Sequence, residues 1–185
     1  MATVLESIDD ELAAWMLAQP VWFVASAPLS GDGHVNVSPK GMDGTFAVLG
    51  PRQVADLDYS GSGAETIAHV RENGRVTIMF AAFTGRPTIV RLHGRGRVVL
   101  TGDEGFETLR ASFPKERTLG QRAVVVVDVA RIADSCGFSV PLMDFRADRD
   151  VLDRAQERRD PEWFEECWRT RNAASIDGLP AMPAP

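Results

Sequence analysis

Along the first two thirds of the chain the apolar positions come in short runs, alternating or continuous, that stop at glycine, proline or aspartate. Val21 to Ser26 (VWFVAS) reads as a strand, Ser30 to Gly33 as a turn and His34 to Ser38 as a second strand, which makes a hairpin. Pro39-Lys40-Gly41 then breaks the ladder. Phe46 to Leu49 and Val54 to Leu57 predict two short strands parted by Gly50-Pro51; Val76 to Phe80, Thr88 to Leu100 and Ala123 to Val129 (AVVVVDV) predict three more, the last buried on both faces. Helical spacing is sparser. Leu12, Trp15 and Met16 follow a capping sequence Ser7 to Asp10 and end at Pro20; Ile67 and Val70 lie in a helix closed by Asn73-Gly74; Phe106, Leu109 and Phe113 share one face of Glu104 to Ser112.

Short strands with glycine turns and small helices between them predict a closed or nearly closed antiparallel barrel, and a doubly wound α/β sheet fits worse. From Asp144 the pattern changes to dense mixed charge carrying two apolar stripes, Val151, Leu152 and Ala155, then Trp163, Phe164, Cys167 and Trp168, on helices split at Asp160-Pro161. The ending SIDGLPAMPAP is too proline-rich for regular structure and is expected to lie extended. The chain is thus read as a barrel with an N-terminal helix over residues 1–143, and C-terminal helices with a tail over 144–185, packed on the barrel or on a partner.

Composition narrows the function. With 185 residues and 44% hydrophobic content there is enough apolar surface for a true core. A formal net charge of −6 argues against nucleic acid as partner, no apolar run reaches the length of a membrane span, and the acids in MATVLESIDDEL are unlike a signal peptide, so a cytoplasmic location is expected. Cys136 and Cys167 are far apart and expected to be reduced, while His34 and His69 have no partner at ligand spacing, so no metal site is expected.

Candidate chemistry concentrates in Asp58 to Phe80, DYSGSGAETIAHVRENGRVTIMF, where Ser60, Ser62 and Thr66 bring hydroxyls to a helix start behind Gly61 and Gly63. On spacing alone this is a phosphate cradle or a capped tight turn. A dinucleotide fingerprint is incomplete, lacking the third glycine and the later acid. From Asn73 to Gly102 there is no Asp or Glu, whereas Arg75, Arg86, Arg91, Arg95 and Arg97 all fall there, a setting suited to a single phosphate. In the long strand Arg91, His93, Arg95 and Arg97 alternate with Leu92, Gly94, Gly96 and Val98; the two glycines imply a sharp bend, or close approach of a backbone or flat ring. Arg95 and Arg97 are expected to pair with the acidic C-terminal helices.

GHVNVSPKG, SGSGAETIAHVRENGRVTIMF and RLHGRGRVV, in that order, resemble the pyridoxamine 5′-phosphate oxidase-like flavoproteins, the FMN-binding split barrels, over roughly Val21 to Val129. The resemblance implies a mainly β (α+β) fold, a split antiparallel β-barrel with short peripheral helices and a C-terminal helical segment. It also implies a homodimer holding FMN near its interface and acting on a small molecule. Asn36, Val37, Ser38 and Lys40 would follow the isoalloxazine edge, and Tyr59, Ser60, Glu65 and Thr66 the ribityl phosphate. Glu65-Thr66 stands where the oxidases carry an Arg-Lys pair, so phosphate neutralisation is expected from Arg91 or Arg75, and the chain ends in RNAASIDGLP where the oxidases carry a substrate clamp. No catalytic acid or base is assigned. A deazaflavin in place of FMN, and a non-catalytic flavin, deazaflavin or haem module, are the alternatives.

Overall fold

The structure is a computed structural model that describes residues 3–183. In chain order it contains β1 (Thr3–Leu5), α1 (Asp10–Leu17), β2 (Val21–Ser26), β3 (Asn36–Gly41), β4 (Phe46–Gly50), β5 (Gln53–Tyr59), α2 (Glu65–Asn73), β6 (Arg75–Ala81), β7 (Thr88–Leu100), α3 (Phe106–Arg110), β8 (Gln121–Cys136), α4 (Val151–Gln156) and α5 (Pro161–Thr170). All strand pairs are antiparallel, in the order β3-β2-β6-β7-β8-β5-β4, with β1 added at the far end of β8. The sheet curls but stays open between its edge strands β3 and β4, the split of a split barrel.

Alternation decides which side chains enter the curl. In β2, Trp22, Val24 and Ser26 are buried while their neighbours are partly covered. The inner core gathers Trp22, Phe46, Val54, Ile78, Phe80, Leu92, Val125, Val127 and Ile132. Phe80 is fully buried, stacked 6.2 Å from Trp22 and edge-on to Phe46 at 5.1 Å, so Phe80→Ala is expected to cost about 3 to 5 kcal/mol. β5 and β8 are covered on the other face as well: Ala55, Leu57, Val124 and Val126 pack beneath Phe106 and Phe113. A third cluster joins Ala64, Ile67 and Ala68 of α2 to Leu100, Ala123 and the tail residues Ala181 and Met182.

Four local expectations change. β3 begins at Asn36 and runs through Pro39, which pairs opposite Phe23; on an edge strand the N–H that proline lacks faces outward, so the ladder survives it. β8 extends well past Val129 to Cys136, because Thr88 to His93 of β7 needs a partner there, and a bulge at His93/Gly94 absorbs the bend. β1 carried no sequence signal and forms only against this extension. Gly94 answers for the close approach: a Cβ there would collide with the carbonyl oxygen of Asp128, so the neighbour is backbone and not a flat ring.

Candidate functional site

The two edges of the open sheet are joined by side chains. On β3, Asn36, Ser38 and Lys40 point inward in a row while Val37 is turned to the other face and exposed. The Asn36 amide donates to Ser38 Oγ at 3.1 Å and to Thr66 Oγ1, in the first turn of α2, at 3.2 Å. Lys40 spans the split and donates to Asp58 Oδ1 at 2.6 Å, with Asp56 Oδ2 3.4 Å away. Asp58 also accepts from Arg122 Nε at 2.6 Å, and Arg122 donates on to Asn172 Oδ1 at 2.7 Å.

Three of the four charges are buried and Lys40 is half-buried, and they divide unequally. Burial raises the Asp58 carboxyl, but Lys40 and then Arg122 outweigh it and hold the group down at about 2. Burial would lower Lys40, yet Asp56 and Asp58 together keep its ammonium above the ordinary lysine range. Asp56 is the odd member. Burial pushes it up against the attraction of Lys40, and among the described residues neither of its oxygens accepts a hydrogen bond.

The loop before α2 is not built as an open cradle. Neither Gly61 nor Gly63 has a positive φ, and no side chain caps α2; its end is as expected, with Gly74 left-handed at φ 71°. Ser60 is buried, with Oγ accepting from Trp168 Nε1 of α5 at 2.7 Å, and Asn172 donates to the Gly61 carbonyl at 3.1 Å. The Glu65 carboxylate accepts from the Ile176 backbone at 3.2 Å. Asp177 clamps His34, accepting from its backbone N–H at 2.8 Å and lying 2.6 Å from Nδ1, a hydrogen bond that raises the imidazole. The tail therefore lies across the cradle, with Trp168, Asn172 and Ile176 held against the loop and the start of α2.

Of the nine residues singled out for a cofactor, Asn36, Ser38 and Thr66 are joined by hydrogen bonds, Lys40 continues their row on β3 toward Asp58, and Glu65 neighbours Thr66 at the start of α2. Tyr59 turns to the outer core, accepting from Gln121 at 3.0 Å. The structure does not bring Arg91 to α2: it donates to Ser135 Oγ, nine residues along β7 from Leu100, which packs beneath the helix start, a run of roughly 30 Å at strand rise. Arg75 donates to the Pro28 carbonyl, and Arg95 to that of Asn73 instead of a C-terminal acid. Asp56, Asp58, Arg122 and Asn172 were missed. Only the first two left a trace, as acids at alternate positions of a strand that is otherwise apolar.

Beyond Lys40 a cleft of about 2050 Å³ opens, walled by the ends of β3, β4 and β5 on one side and by residues 143–155 on the other. Among the described residues no group of His, Cys, Asp and Glu is arranged to hold a metal ion, and no helix is long and apolar enough to cross a membrane.

An antiparallel barrel left open at one side, with a polar row on the edge strand facing a helix start, is the arrangement of a split-barrel protein. The sequence profile of the pyridoxamine 5′-phosphate oxidase family matches residues 8–136, and the chain belongs to that family. It is 40% identical over 199 aligned positions to the pyridoxamine 5′-phosphate oxidase family protein ustO of Aspergillus flavus, covering 98% of this chain and 78% of that one. Among solved structures it is similar to HupZ of Group A Streptococcus, with a TM-score of 0.51, 19% identity and coverage of 68% of this chain and 91% of the other. A conserved Corynebacterium diphtheriae protein of unknown function aligns with a TM-score of 0.50, 15% identity and coverage of 74% and 98%. At these identities the solved structures speak for the fold alone.

Proposed function

We propose that this protein is an FMN-binding oxidoreductase acting on a small molecule, and that the inner row of β3 together with the start of α2 is its flavin groove. The observation that carries the reading is the convergence of Asn36, Ser38 and Thr66, from two elements far apart in sequence, into one line of hydrogen-bonding groups inside a chain of this family. Ser38 and the Asn36 amide suit the polar edge of an isoalloxazine ring. Thr66 and the first-turn N–H groups of α2, uncapped by any side chain, suit a phosphate at a helix dipole once the tail contacts of Asn172 and Ile176 over the loop give way. Lys40 keeps a positive charge at the groove's end, and a cation near a flavin's pyrimidine edge favours the reduced anion. When bound, the flavin supplies the redox chemistry. The residues of the chain position it, exclude water and set the local charge.

The same reading includes a homodimer with the groove near the subunit interface, since β3 and β4 are uncovered edges that a two-fold partner would close. The test is spectroscopic. Purified protein titrated with FMN is expected to bind about one equivalent per chain, to bleach anaerobically with NADH or NADPH and to recover its colour in air. A flavin, deazaflavin or haem carrier without turnover would show the cofactor spectrum and resist reduction, and a protein that stays colourless throughout would overturn the proposal.

A further inference from the structure

Two buried side chains that line the cleft carry polar atoms of opposite kind without a hydrogen bond among the described residues: the Trp22 indole N–H, and the Asp56 carboxylate, whose Oδ2 is ion-paired to Lys40 at 3.4 Å and whose Oδ1 has no partner. They are drawn together by four contacts. Lys40 is the cross-strand partner of Trp22 and reaches Asp56 at 3.4 Å; Phe46 is the cross-strand partner of Asp56, and its ring lies 5.4 Å from that of Trp22. The unmet donor and the unmet acceptor therefore flank one aromatic ring and one ammonium. Trp22 is 4% and Asp56 2% exposed, so bulk water is not what satisfies them. An unmade buried hydrogen bond is costly, so each such atom calls for a partner, whether a ligand or an ordered water.

Charge narrows the ligand. Lys40 and Arg122 stand against Asp56 and Asp58, two cations to two acids, so the cluster is balanced when both carboxylates are ionised. An added ammonium would crowd Lys40, and an added carboxylate would crowd two aspartates. We propose that the inner end of the cleft is a binding site for the neutral edge of an amide, a primary carboxamide or ring lactam, whose N–H donates to Asp56 and whose carbonyl accepts from the Trp22 indole. A planar body attached to that edge would rest against Phe46, with Trp15 and Phe83 on the walls beyond. Lys40 stands at the end of the β3 row and at this site, whereas Asn36, Ser38 and Thr66 do not line the cleft, and the Trp22–Asp56 pair is argued without the flavin reading.

The experiment uses the full chain, with and without saturating FMN, and three probes of nearly one shape: benzamide, benzoate and benzylammonium. Binding is followed by the indole ¹H–¹⁵N resonance of Trp22 and the ¹³C carboxyl resonance of Asp56. Benzamide is expected to move both signals and to bind at least tenfold more tightly than either charged probe. Trp22→Phe, which removes the N–H donor along with part of the ring system, and Asp56→Leu are each expected to weaken benzamide about tenfold or more, with thermal melting used to select variants that remain folded. Equal affinity for the three probes, preference for a charged one, unchanged benzamide affinity in a folded Trp22→Phe protein, or signals that do not move because ordered water already holds both atoms would each overturn the assignment. FMN titration of the same variants separates this outcome from the fate of the flavin groove, because loss of benzamide with FMN retained is a result that the groove alone does not produce.

Discussion

Asp56 and Asp58 sit two positions apart on one face of β5 and are both drawn down by Lys40 and Arg122, yet they shift in opposite directions because burial prevails at Asp56. Asp58 takes the short bonds of both Lys40 and Arg122, so its folded value of about 2 lies below the unfolded value of 3.8. A depressed carboxylate adds stability that is fully present above pH 3.8 and is lost as pH falls toward 2. The shift corresponds to roughly 2 kcal/mol at 1.36 kcal/mol per unit. Asp56 is raised, so it acts in the other direction and takes stability away as pH rises above 3.8. Urea unfolding as a function of pH is expected to show an acid limb that disappears in Asp58→Asn and, above pH 3.8, an opposing decline that disappears in Asp56→Asn. Asp58→Asn is also expected to lose about 3 to 5 kcal/mol near neutrality, since it leaves Lys40 and Arg122 with Asp56 as their one remaining carboxylate. An acid limb unchanged in Asp58→Asn would remove the cluster from the account.

At the scale of elements, the strands and helices were legible because each depends on local pattern: alternation in β2, unbroken valines in β8, the αL glycine after α2. What the chain could not disclose locally was decided by distant partners. β1 exists only because β8 runs long; Pro39 stays in β3 only because β3 is an edge; Ser60, which looked like a cradle hydroxyl, belongs to Trp168, more than a hundred residues on. The arrangement was half legible, since Asn36, Ser38 and Thr66 do come together, but Arg91, favoured for its charge and its place deeper in the barrel, lies at the other end of its strand. Gly94 tests the β7–β8 bulge. Gly94→Ala would force Asp128 and the bulge apart and is expected to cost about 1 to 3 kcal/mol in denaturant unfolding. A wild-type midpoint in that variant would mean that the close approach carries no strain.

For the molecule as a whole, the surface that stands out is the run after β8, where Phe138, Leu142, Met143, Phe145 and Val151 are all exposed along a largely irregular segment. An apolar strip of this kind beside two open sheet edges is what a second copy would bury, and an obligate interface would take more than about 2,000 Å² in total. Phe145→Asp is expected to shift the sedimentation coefficient from dimer to monomer and to leave the circular dichroism of the barrel unchanged. A wild-type protein that sediments as a monomer at micromolar concentration would end the dimer proposal.

The flavin groove is the central claim, and its most direct measurement is the FMN dissociation constant of the wild type beside Thr66→Val and Asn36→Ala, read from quenching of flavin fluorescence. The account predicts one site per chain in the wild type, and for Thr66→Val a loss of about 1 to 3 kcal/mol, the size of one hydrogen bond to a charged group, with a smaller loss for Asn36→Ala. Identical affinity in all three proteins, or no saturable binding in the wild type, would contradict it.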